Sequence, residues 1–125
     1  MSSIDRPLSG DVLILSLDDA LEQARDPAAL ERSGRSARTL FKQGTLRTTV
    51  VVLAPGGELA EHQAPGPIMI QVIEGRIHFS LEGEEHEIGP GELLTAGAGV
   101  PHAVSSEEGG AFLLTVAHPE AGSGG

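Results

Sequence analysis

Pro55-Gly56-Gly57-Glu58-Leu59-Ala60-Glu61-His62-Gln63-Ala64 opens a stretch that closes with Gly97-Ala98-Gly99-Val100-Pro101-His102-Ala103-Val104. Each end carries one histidine beside a turn rich in glycine and proline, with short apolar runs between. The runs are Ile68 to Ile73, Ile77 to Leu81, Glu85 to Ile88, Leu93 to Ala96 and His102 to Val104, with Ala111 to Val116 beyond. Thr39 to Lys42 and Leu46 to Leu53 precede them, the second built on the β-branched series Thr48-Thr49-Val50-Val51-Val52, which favours a pleated strand. Glu74-Gly75, Glu82-Gly83, Gly89-Pro90-Gly91, Gly97-Ala98-Gly99 and Gly109-Gly110 break the runs. Turns about 8–12 residues apart between short strands define an all-β sandwich or barrel rather than alternating β and α units. Gly89-Pro90-Gly91 suits a type II turn, with proline second and glycine at the third place, where φ is positive.

Upstream the pattern is different. Residues 1–15 read as an arm, with Val12 to Leu15 able to form a short strand; an exposed apolar edge invites pairing with another subunit. Ser16, with Asp19 three residues on, caps a helix whose apolar face is Leu17, Ala20, Leu21 and Ala24. Asp26-Pro27 starts a second helix that Gly34 is placed to stop. The chain therefore divides into an arm with short helices (1–36), a barrel (37–118) and a flexible, apolar-poor tail (119–125).

A chain of 125 residues with 39% hydrophobic content is long enough for one core. Its 18 acids against 8 bases give a formal charge of −10, so no basic stripe neutralises phosphates, and neither nucleic acid nor an anionic membrane is an expected partner. Cysteine is absent, which removes disulfides, thiolate metal sites and a cysteine nucleophile. Val12-Leu13-Ile14-Leu15 is too short for a membrane span or a signal-peptide core, and a cytoplasmic location is the expectation. Tyrosine and tryptophan are missing, and with them the usual stacking platforms for bases and sugars. No glycine-rich turn carries the lysine and hydroxyl of a phosphate loop, and no serine has an acid–base partner at a diagnostic spacing.

Residues 45–116 resemble the cupins, small double-stranded β-helix (jelly-roll) barrels carrying two motifs. Gly56 and His62 hold the first motif's opening glycine and first histidine, and Gly75 its closing glycine. Ala64 stands at the place of the second histidine and Ile68 at that of the glutamate. In the second motif Gly91, Gly99 and His102 match, while Gly97 replaces a proline and Ser106 a common asparagine. The whole chain is also similar to small stand-alone bacterial cupins, and the resemblance implies a homodimer, an expectation the apolar arm shares.

Many cupins hold a divalent metal with three histidines and a glutamate; this chain keeps only His62 and His102 of the four. Two imidazoles fall short of the three or more protein ligands that zinc and iron sites use. The reading that follows is a barrel without a full metal site that binds a small, largely apolar molecule, as a sensor or carrier. Ile68, Ile70 and Val104 would line it, and His62, Gln71 and His102 would be its polar contacts. The alternative is an oxygenase or isomerase in which His62 and His102 hold Zn, Fe, Mn or Ni with a substitute ligand, or a metal-free enzyme using a histidine as base. Alternation turns His78 away from Ile77 and Phe79 but does not say which pair of faces is inside. Glu61 and Gln63 should face away from His62, and the acids from Glu82 to Glu87 around His86 form a solvated hairpin.

Overall fold

The computed structural model describes residues 7–119. The first six residues of the arm, and the tail beyond Pro119, lie outside the described residues. Two short helices, α1 (Leu17–Ala24) and α2 (Pro27–Ser33), precede nine strands: β1 (Arg35–Gln43), β2 (Leu46–Leu53), β3 (Glu58–His62), β4 (Ile68–Gly75), β5 (Ile77–Leu81), β6 (Glu84–Ile88), β7 (Leu93–Ala96), β8 (His102–Ser105) and β9 (Gly110–Ala117). They form a five-stranded antiparallel sheet in the order β1-β2-β9-β4-β7 and a four-stranded one in the order β3-β8-β5-β6.

The two sheets share one apolar interior. Val51, Leu53, Ile68, Ile70, Val72 and Phe112 enter it from the larger sheet, and Ile77, Phe79, Ile88 and Val104 from the smaller side. The Phe79 and Phe112 rings meet edge to face at 5.7 Å, a geometry that suits the opposed charge of ring edge and ring face. The other face of the large sheet carries Leu40, Val50, Val52 and Ala111, covered by Ala20, Leu21 and Ala24 of α1. Coverage on both sides explains why Val50 to Leu53 is an unbroken apolar run and not an alternating one.

The helices form as their capping residues direct. Ser16 Oγ accepts from Asp19 N at 3.3 Å, and the Asp26 carboxylate accepts from Ala28 N at 3.1 Å ahead of Pro27. Gly34, at φ +78°, ends α2 with its N–H on the Leu30 carbonyl. Gly75 is fixed twice over: its φ is +77°, and a Cβ there would lie 2.2 Å from the Gly109 carbonyl oxygen.

Three local readings change. Val12 to Leu15 forms no strand and pairs with none among the described residues. β1 is longer than Thr39 to Lys42, because its register with β2 runs from Arg35 opposite Leu53 to Gln43 opposite Leu46. β3 was not marked by any apolar run; Glu58-Leu59-Ala60-Glu61-His62 forms a strand because β8 supplies its hydrogen-bond partners. Neither helix is long and apolar enough to cross a membrane.

Candidate functional site

β3 is an edge strand, and its pairing with β8 brings the two histidines together. Leu59 lies opposite Val104 and His62 opposite His102, so three steps on β3 match two on β8. Strict alternation from inward-packed Leu59 would turn His62 outward. The extra residue of this bulge restores it to the side of His102 and Val104.

The rings lie 4.2 Å apart between centroids at an interplanar angle of 65°, with the two Nε2 atoms 3.1 Å apart. His102 is 3% exposed, whereas His62 is open to solvent. Both are held in the same way. His62 Nδ1 lies 2.9 Å from the Ala60 carbonyl oxygen and His102 Nδ1 3.0 Å from that of Val100. A carbonyl only accepts, so a hydrogen on each Nδ1 satisfies both contacts and leaves the two Nε2 atoms facing one another. A hydrogen on either Nε2 makes their 3.1 Å contact a hydrogen bond; with none there, two lone pairs meet, and a ligand donor beside the pair relieves the conflict.

The turns around the pair are tied together. Gly99 N–H donates to the Ala64 carbonyl at 3.0 Å, and Ala117 N–H to the Pro67 carbonyl at 3.1 Å. Gly66 passes so near Ala117 that a Cβ would meet its carbonyl oxygen, so this place in the Pro65-Gly66-Pro67 rim requires glycine.

The structure does not bring all the expected contacts to this point. Ile68, Ile70 and Val104 face the interior, but as buried members of the packed cluster around Phe79 and Phe112. Gln71 is exposed, on the face of β4 opposite Ile70 and Val72, across from Leu93 and Leu113. The period of two puts it there: the neighbours that point inward are both apolar. His78 lies on the outer face of the small sheet against the Glu85 carboxylate, since Ile77 and Phe79 take the interior. Glu61 and Gln63 are exposed. The acidic hairpin borders a polar groove of about 480 Å³ lined by Arg76, His78, Glu85, Glu87, Ser105, Glu107 and Glu108. The sequence offered no signal for the Ala60 and Val100 carbonyls, since any residue supplies a carbonyl and only the chain path aims it.

Ala64 and Ile68, at the remaining places of the four-ligand pattern, offer no lone pair; both pack with the apolar interior. Among the described residues no group of three histidine, aspartate or glutamate side chains converges to share an ion. The residues present do not fit a resident metal of the kind that pattern holds.

Two stacked antiparallel sheets closed around one interior, with motif turns at one end, define a double-stranded β-helix protein. A family model described as "Cupin domain" matches residues 49–118, and the chain belongs to that family. Among solved structures, a conserved protein of unknown function from Streptococcus pyogenes is 31% identical, with 72% of this chain and 79% of that one covered at a TM-score of 0.66. An RmlC-like cupin from Shewanella frigidimarina is 19% identical over 71% of this chain and 80% of its own, at 0.66. Salicylate 1,2-dioxygenase from Pseudaminobacter salicylatoxidans is 17% identical over 92% of this chain but 37% of its own, at 0.77. The last match extends past the barrel, which occupies only residues 35–117, so its likeness in fold includes part of the helical segment. No curated protein matches the chain.

Proposed function

We propose that this cupin binds a small, largely apolar molecule at the His62–His102 end of its barrel, in a sensing or carrier role, and holds a hydrogen-bond donor of that molecule beside the two Nε2 atoms. One observation carries the reading: both Nδ1 atoms are committed to backbone carbonyls while the Nε2 atoms lie 3.1 Å apart. A hydroxyl or amine placed beside them replaces lone-pair repulsion with hydrogen bonds, and His62 leaves the approach open. Ala64 and the Pro65-Gly66-Pro67 turn supply apolar surface beside the pair. The ligand sits at this rim, because Ile68, Ile70 and Val104 already fill the space beneath.

The same lone pairs suit a second reading, a metal-free enzyme in which one histidine accepts a proton from substrate. That reading requires turnover that disappears in His62→Ala or His102→Ala while the fold persists.

Thermal melts with a panel of small phenols, alcohols and amines test the binding reading. Some members should raise Tm in the wild type, and His102→Ala should abolish the shift, because a ligand stabilises only a state it binds. A panel with no effect, or shifts that survive in both histidine variants, would refute it.

A further inference from the structure

We infer that the cleft between α2, β1 and β3 is a further binding site, one for a small monocarboxylate with an apolar body. The inference is independent of the histidine pair. Bases are few in this chain and unevenly spread. Five of the eight, Arg32, Arg35, Arg38, Lys42 and Arg47, fall in one stretch, and no acid occurs from Arg32 to Gly57. Strand alternation divides them between faces. Arg38 lies opposite Val50, on the face that α1 covers, whereas Arg35 and Ala37 lie opposite Leu53 and Val51, on the other. Arg35 therefore joins Arg32 of α2 at one cleft instead of extending a continuous stripe.

The cleft holds about 450 Å³, within the range of about 300–1,000 Å³ common for small-molecule sites. Val51 is buried and Ala29 and Leu59 are half-buried, while both arginines are exposed, so the floor is apolar and the rim cationic. Backbone contacts fix the walls. Ala54 N–H donates to the Gly34 carbonyl at 2.9 Å, and Gly57 passes that oxygen too closely for any Cβ, which ties the α2–β1 turn to the β2–β3 turn. Neither guanidinium forms an ion pair or a side-chain hydrogen bond among the described residues. Asp26 also lines the cleft, but its carboxylate already accepts from Ala28 N at 3.1 Å and Ala29 N at 3.5 Å.

Charge and shape select the ligand. A guanidinium fork matches the two oxygens of a carboxylate. In a chain of charge −10 most of the surface repels anions, and this cleft is a place that draws them. Two arginines against one aspartate suit a monoanion better than a phosphate dianion. The apolar floor, in turn, calls for a hydrocarbon body beside the charge.

Proton–nitrogen correlation NMR of the full chain tests this, with hexanoate, hexanamide and inorganic phosphate as probes. Hexanoate should shift the amide signals of Ala29, Ala37 and Leu59 and bind at least about tenfold more tightly than either of the others, some 1.4 kcal/mol. Arg32→Gln with Arg35→Gln should remove the preference over hexanamide and leave the circular dichroism spectrum unchanged, since both side chains are exposed and unpaired. Ala37→Met, at an exposed strand position, keeps both charges but fills the floor and should abolish binding. No shift at about 10 mM hexanoate, ten times a weak Kd of about 1 mM, would overturn the inference. So would shifts centred on His62 and His102 instead, equal binding of hexanamide or phosphate, or hexanoate binding that survives Ala37→Met.

Discussion

His62 and His102 show how two side chains become a site through backbone groups rather than through other side chains. Each ring is oriented by the carbonyl two residues before it, so the tautomer is set locally and the pair needs no carboxylate to fix it. The absent ligands can be restored in principle. Ala64→His with Ile68→Glu should create a divalent site, read as zinc stabilisation of a variant that is less stable than wild type in chelator, since a buried glutamate without a cation is costly. Zinc titration that leaves its melt unchanged would mean that those two positions do not face the histidine pair. Ser106 offers a second test at this scale. It is fully buried, donates to the Arg76 carbonyl at 2.7 Å and accepts from Gly109 N at 2.9 Å. Ser106→Ala leaves both groups without that partner and should cost about 1–3 kcal/mol in denaturant unfolding; an unchanged midpoint would contradict the pairing.

Among the elements, β2 and α1 depend on each other. Val50 and Val52 are buried in the cluster that α1 completes, so Leu21→Ala in α1 should destabilise the whole barrel by about 2–3 kcal/mol in a single cooperative transition. A loss confined to helical signal, with the barrel melting as before, would show that the helix is an independent cover. The capped helices and most strands were legible in the sequence because their signals are local: Ser16, Asp26-Pro27, Gly34 and the β-branched series act within a turn or a strand. β3 was not legible, because Glu58 to His62 has no apolar alternation and is a strand only through its pairing with β8. The site was legible in part. The motif spacing named both histidines, but their contact depends on a bulge that no period reveals. Gln71 and His78 went to outer faces because Ile70, Val72, Ile77 and Phe79 took the interior, a choice made between whole faces rather than at single residues.

For the molecule as a whole, the turn glycines keep the barrel's corners while half of the polar site those corners serve in related barrels has become apolar. The histidine pair is proposed to bind an organic molecule and not a resident metal. Native mass spectrometry of tag-free protein reads both at once. The expected result is a small organic adduct that is lost in His102→Ala, with little metal. One Fe, Mn, Ni or Zn per chain, removed by the same substitution, would contradict it.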